Sequence, residues 1–561
     1  MESSRSMKKP VRLGPCQGQE CNALLDPSLL LLVPGRSKKV RKAASGYHWA
    51  VRFAPSKTFS APLLAVLLSF GLTLPFLAKP VHVDDANFLM LAQGAQLDPW
   101  RPHAILVNWQ GTMEPAFQVL SNPPGIGWWL APVVDAPIWV QHLWMLPWLL
   151  LALWGAGALG KSLADQRTAA ILLLGSSPVV LLASQALTPD LPLMACALAG
   201  LGGFWALGPR AAWGFGLLTG CAVLFRYSGL TVLPLLLWAG WSKKRLPQAL
   251  AGFVPLLALV AHDLHAYGDV HLLAMTRFQS VANTPRDILR KGIASLAMLG
   301  GAGLLPLLGG KRSWLGATVG AVLGGVGVWI SSLSGIGAVM TVLSVALGGG
   351  MIAVLSPKKG VDRWLMAWGV GGLLFLLSLR FSAARYWLPF LPALAIAALR
   401  LRPGKGLLGV TVGLQAILAL LLSVDDQNFA QAQQKAAEWI GPGPGSVSGH
   451  WGWQHHMQAQ GWTPLNEDSV PLGRLAVAET PWPQSPDPQA CLVRERSLAV
   501  PDRWPGPRVH SSLGAANLHA YVVAGEPPLE TYAPWSWSNQ PYERVALYRV
   551  CLPQALDGLP E

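Results

Sequence analysis

PIWVQHLWMLPWLLLALWGAGALG, residues 137–160, decides the class of fold. These 24 residues contain no Asp, Glu, Lys or Arg, and a hydrocarbon core is crossed by about 20 helical residues. Comparable apolar runs recur along the chain. They read as spans near 60–78, 137–160, 168–184, 190–207, 211–226, 229–241, 249–266, 292–309, 313–331, 335–355, 363–379, 386–399 and 406–424, about thirteen in all. Arg226 and Tyr227 interrupt 211–241, which reads either as two spans or as one kinked helix. Hydrophobic residues are 52% of the 561 and charged residues only 12%, too few to cover several water-facing domains. The fold class expected is therefore an all-α polytopic membrane protein, with many of its 26 Trp at interfaces. A cytosolic enzyme, a disordered chain and a disulfide miniprotein are excluded.

The net charge of +14 divides unevenly. Residues 1–59 carry 11 basic and 3 acidic groups, whereas 425–561 carry 8 and 14. Basic residues in the connections alternate in the sense of the positive-inside bias, which places 1–59 in the cytoplasm as a basic, disordered tail beside anionic lipid. An odd number of spans then puts 425–561 outside, where short apolar stretches between Pro-rich turns predict a small α/β domain. Nucleic acid is not an expected partner, since no soluble stretch combines basic and aromatic residues. Cys491 and Cys551 fall in this exported region, where a disulfide is permitted.

Charged groups beside or within spans are functional candidates by default. After the first span comes His82-Val83-Asp84-Asp85-Ala86-Asn87-Phe88. Asp84 or Asp85 suits a general base that deprotonates a hydroxyl, and adjacent like charges tend to raise one pKa. The bland alternative is a pair of cap residues for a helix over 86–95. The loop 79–136 continues to Ser121-Asn122-Pro123-Pro124-Gly125, and Thr188-Pro189-Asp190 opens the fourth span on the same side. Near the last spans stand Arg380 and Arg385-Tyr386-Trp387-Leu388-Pro389. Arg226 and Arg277 are further cations, each with a plain reading as an interfacial, snorkelling side chain.

These elements together resemble the GT-C superfamily of membrane glycosyltransferases. The branch concerned is that of the protein O-mannosyltransferases and lipid A aminoarabinose transferases. The resemblance covers about residues 60–424 and rests chiefly on Asp84-Asp85 with Arg385-Tyr386; Gly449-His450-Trp451-Gly452 is similar to exported domains of some bacterial members. It implies transfer of a sugar from a polyprenyl-phosphate donor to a lipid, glycan or protein acceptor at the outer face of the inner membrane. By position it makes Asp84 or Asp85 the catalytic carboxylate and Asp190 a second acid in the cavity. It puts Arg385 and Tyr386 near the donor phosphate and Asn122, Pro123 and Pro124 in a substrate loop. Relatives often carry Lys or His where this chain has Asn122. The chemistry agrees: a polyprenyl phosphate is already a good leaving group, so the reaction needs a base and a cation for the departing phosphate. Arginine's planar fork suits that role, with Arg385 first and Arg226, Arg277 and Arg380 after it. Attack opposite the phosphate inverts the anomeric centre.

Other signals are weaker. Gly155-Ala156-Gly157-Ala158-Leu159-Gly160 spells a dinucleotide fingerprint but ends an apolar span with no strand before it, so close helix packing is expected. His262, His265 and His271 with Asp263 and Asp269 match no standard zinc spacing. No resident cofactor or metal is called for, although a divalent ion would be compatible with the chemistry. Two rival functions are a flippase for a lipid-linked substrate and a non-catalytic envelope scaffold. The first needs inverted repeats and midplane charges, and the second leaves Asp84 and Asp85 dispensable.

Overall fold

The computed structural model describes residues 60–109, 111–279, 284–358, 360–379, 381–479, 483–501, 504–510, 518–519, 521–522, 528 and 530–551. The basic tail 1–59 and Arg380 lie outside the described residues.

Among the described residues, six helices are long and apolar enough to cross a membrane: Ile138–Ala164, Leu246–Tyr267, Gly310–Ser331, Gly335–Ile352, Val361–Ser378 and Lys405–Ile440. Arg167–Gly175 and Pro178–Ser184 form a seventh if a pair bent by 70° counts as one crossing. The chain is thus a polytopic helical membrane protein. Other apolar runs appear as shorter helices, including Ala61–Thr73, Asp190–Ala206 and Leu391–Arg400. The reason is local. Pro178 lacks the N–H that a continuous helix would need, and it starts a new helix at its first position.

Lipid contact is written on the surface. Trp314, Leu315, Val319, Val322 and Trp329 along Gly310–Ser331 are all exposed, a pattern that water would not tolerate on so long a helix. Asp190–Ala206, by contrast, is buried along nearly its whole length and forms the centre of the bundle. Gly155 at the end of Ile138–Leu159 faces it closely: a Cβ there would stand 2.4 Å from the Ala199 nitrogen. The glycine-rich 155–160 stretch therefore serves helix packing.

One end of the bundle carries the loop after the first helix. It holds the helix Asp85–Leu97, a hairpin of Leu106–Asn108 and Met113–Pro115, and the short helices Ala116–Val119 and Gly125–Leu130. Residues 446–550 contribute a five-stranded mixed sheet in the order Thr463–Pro464, Ser446–Ser448, Arg474–Ala478, Glu543–Val550, Leu492–Val500. The first three strands are parallel and the last two pairings antiparallel. Cys491 and Cys551 are joined by a disulfide that ties the last two strands' ends. The apolar run expected to stop at 424 continues to residue 440 as one helix of 36 residues, Lys405–Ile440, because no Gly or Pro follows Gly413 within it and Asp425 and Asp426 find buried partners midway.

Candidate functional site

Four remote segments bring charge to one cavity of about 640 Å³ at this end of the bundle. Asp84 precedes the first residue of Asp85–Leu97 but makes no side-chain cap hydrogen bond; its carboxylate accepts instead from Arg385. Asp190 opens the central helix and accepts from Arg226. Arg226 is where the helix Pro209–Phe225 stops: its backbone is extended, and Tyr227–Val232 follows as a 3-10 helix. That break settles the reading of 211–241 as two helices and aims the guanidinium at Asp190. Arg385 and Tyr386 sit in the 3-10 turn Ala384–Trp387. The turn is pinned by Trp387 donating to the Ser295 carbonyl at 2.9 Å and Trp368 donating to that of Pro389 at 2.8 Å.

The result is an interlaced set of two acids and two guanidiniums. The Arg385 Nε lies 3.8 Å from Asp190 Oδ2, and neither of these buried atoms has a hydrogen-bond partner. The Arg226 guanidinium stacks 4.1 Å from the Tyr386 ring centre, an attraction that fixes its plane. Asp84 and Asp190 outweigh the effect of burial and keep Arg385 charged. Apolar walls come from Leu193, Met275, Phe375 and Leu379, so the charges act in a water-poor space.

The two adjacent acids divide. Asp84 lines the cavity with a side chain 21% exposed, whereas that of Asp85 is 1% exposed and turned away. Asp85 Oδ1 accepts from the Leu187 N–H at 2.8 Å and its Oδ2 lies 3.1 Å from His82 Nδ1. Burial works to raise the Asp85 carboxyl, and the His82 contact outweighs it and leaves the group below the ordinary value. The expected mutual interaction of the two acids is replaced by separate partners, since successive residues at a helix start point in different directions.

Asn122 lines the cavity and its carbonyl lies 3.0 Å from His103 Nε2. Pro123 and Pro124 are buried and start the helix Gly125–Leu130. The following glycine explains their placement: a Cβ on Gly125 would stand 2.3 Å from the Leu224 carbonyl oxygen, so the loop is pressed against the helix end that carries Arg226. Arg277 is not among the cavity residues. Its side chain is 70% exposed, 3.8 Å from Asp269, because Arg277 lies on the outer face of the helix His271–Gln279. The histidines discounted as a metal site keep separate partners: His262 contacts Asp263 and the Trp100 carbonyl, and His271 contacts the Tyr227 hydroxyl at 2.7 Å.

Two further lining residues are not among the site candidates: Trp109 from the loop, which has no sequence signal, and Trp451, which enters only within the likeness of Gly449-His450-Trp451-Gly452 to exported domains. Trp451 has a φ of 61°, costly for so bulky a residue. It packs with Val83, whose φ is 47°, directly before Asp84. Gly452 allows this contact, since a Cβ there would stand 2.3 Å from the Val81 carbonyl oxygen.

The class these features define is a polytopic helical membrane protein with a paired acid and arginine cavity at one end of its bundle. No protein-family model and no curated protein matches the chain. Two of the solved structures similar to it are forms of one protein. One is ArnT from Cupriavidus metallidurans in the apo state, with 13% identity over 74% of this chain and 92% of that one and a TM-score of 0.37. The other is the same protein bound to undecaprenyl phosphate, with 16% identity over 75% and 93% and a TM-score of 0.37.

Proposed function

We propose that the protein is a glycosyltransferase that moves a sugar from a polyprenyl-phosphate donor to a hydroxyl of a lipid, glycan or protein acceptor. The observation that carries the reading is the meeting of Asp84, Asp190, Arg226 and Arg385, from four remote segments, in one largely apolar cavity. A phosphodiester with a long apolar chain needs such a place: guanidinium forks for its phosphate and greasy walls for its tail.

In the resting arrangement the four charges cancel. An incoming donor phosphate competes with Asp84 for the Arg385 fork and releases the carboxylate. Asp84 then takes the proton of the acceptor hydroxyl, whose oxygen attacks the anomeric carbon from the face opposite the phosphate. The bond from that carbon to the phosphate oxygen breaks, the configuration inverts, and polyprenyl phosphate leaves with the electron pair. Arg385 and Arg226 balance the growing phosphate charge, a contribution worth a few kcal/mol per donor in a site shielded from water. Asp190 holds both guanidiniums in place, and Tyr386 sets the plane of Arg226. The active cavity faces outward from the inner membrane in this reading, with 425–561 on the same side. Polar residues at span ends, not at a midplane, favour chemistry over transport.

The test is to reconstitute the full chain in lipid and supply a panel of radiolabelled polyprenyl-phosphate sugars with a membrane extract as acceptor source. Label should pass from one donor to the extract, and Arg385→Ala should stop it. Absence of transfer from every donor by the parent protein would count against the reading.

A further inference from the structure

Behind Asp84, on the side away from the cavity, lies a second cluster that the proposed chemistry does not use. His82, Asp426 and His519 come from the loop after the first helix, from the long helix Lys405–Ile440 and from the C-terminal tail, and all three are buried. One donor atom from each lies within 4.8 Å of the others. His82 Nε2 is 3.1 Å from Asp426 Oδ1, and His519 Nε2 is 2.6 Å from the same oxygen. We infer that these three side chains form a structural site for one divalent transition-metal ion of the zinc type.

Four features of the cluster support this. Two imidazoles and one carboxylate are a zinc donor set, and tetrahedral ligands on bonds of about 2.0–2.1 Å stand roughly 3.3 Å apart. His82 Nε2 and His519 Nε2 already stand 3.1 and 2.6 Å from Asp426 Oδ1, near that spacing, and all three donors fall within 4.8 Å of one another. The outer nitrogen of His82 is already committed: Nδ1 lies 3.1 Å from Asp85 Oδ2, the carboxylate–histidine pairing that turns the other nitrogen towards a metal. Lys79, fully buried, donates to Asp426 Oδ2 at 2.7 Å and so leaves Oδ1 as the ligand atom. A void of about 20 Å³ bordered by His82, Asp84, Thr188, Arg385 and His519 offers room for a water as fourth ligand.

The ion would staple the segment carrying Asp84 to the long helix and to the tail. Asp85 acquires a role in the same stroke, as the residue that orients His82. The site stands independently of the transferase reading, because its measurement is metal content and not transfer.

The experiment is performed on the full chain purified in detergent without chelator or affinity metal. Elemental analysis should find about one zinc per chain, and His519→Ala should lower it at least roughly fivefold. Asp85→Asn should weaken zinc affinity about tenfold or more without abolishing binding. Replacing zinc with cobalt should give the intense visible bands of a tetrahedral ion, and His519→Cys should keep the ion while adding a sulfur-to-cobalt charge-transfer band. That variant keeps the test decisive if the alanine variant folds poorly. A parent protein that carries less than about a tenth of an equivalent, and whose thermal midpoint ignores both strong chelator and added zinc, would overturn the inference and leave a metal-free ion network.

Discussion

Replacing Asp84 by Asn is the perturbation for which the charge pattern makes its least obvious forecast. The variant removes the proposed base, and loss of a general base lowers turnover by roughly a hundredfold to ten-thousandfold. It also takes a negative charge from beside Arg385, so the paired set goes from neutral to one positive charge. Two unit charges about 5 Å apart at an effective dielectric near 20 attract by about 3 kcal/mol. Asp84 is partly exposed and the Arg385 side chain 11% exposed, which screens that figure to roughly 1 kcal/mol, or severalfold in affinity. Polyprenyl phosphate should therefore bind Asp84→Asn severalfold more tightly than the parent while transfer collapses. The fold should survive, since Asp190 remains 3.8 Å from Arg385. The assay pairs transfer of labelled sugar with equilibrium binding of polyprenyl phosphate to protein in nanodiscs. A variant that keeps transfer within tenfold of the parent, or one that loses both binding and transfer, refutes the reasoning.

Arg226→Ala should weaken polyprenyl-phosphate binding about tenfold to a hundredfold, the worth of a charge-assisted contact, and Arg226→Lys should restore only part of it, because an ammonium lacks the fork that Asp190 and phosphate share. Gly125→Ala should lower stability by about 1–3 kcal/mol in a thermal melt and raise the apparent KM for donor, since its methyl group meets the Leu224 carbonyl two residues before Arg226. A KM that stays put while stability drops would separate the loop from the phosphate site. Acid should loosen the loop and the C-terminal region. Burial pushes His103 down to about 4, and burial with repulsion from His455 pushes His456 to about the same value. The unfolded chain takes up these protons below about 6.5 and the folded one only near 4, so stability falls as pH drops through that window by about 1.4 kcal/mol per unit for each group. Thermal midpoints between pH 7.5 and 5 should show it, and His103→Asn should flatten the slope; an unchanged slope contradicts the burial argument.

What could be read from the sequence divides along physical lines. Apolar run length found the helices, because lipid leaves a chain few alternatives. It could not foresee where proline bends a run, as at Pro178, where two helices meet at 70°. The charged candidates at membrane depth were legible for the same reason, and Asp84, Asp190, Arg226, Arg385, Tyr386 and Asn122 all line one cavity. Which of two neighbouring acids faces it was not legible, since that depends on His82 and the Leu187 N–H drawing Asp85 aside. Asp425 and Asp426 looked like the end of an apolar run. They are instead the buried middle of a helix, held by Lys79, His82 and His519 on one side and by Arg508 and the Tyr542 hydroxyl on the other. Lys79 directly after an apolar helix, with His82 three residues before Asp85, was the available clue.

Where the lipid phosphate comes to rest is the most direct measurement. A cryo-EM map of the full chain in nanodiscs with polyprenyl phosphate should show the phosphorus about 4 Å from the guanidinium carbons of Arg385 and Arg226, with Arg385 drawn away from Asp84. A phosphate bound elsewhere, with the Asp84–Arg385 and Asp190–Arg226 pairs unchanged and the cavity empty of lipid, would contradict the account.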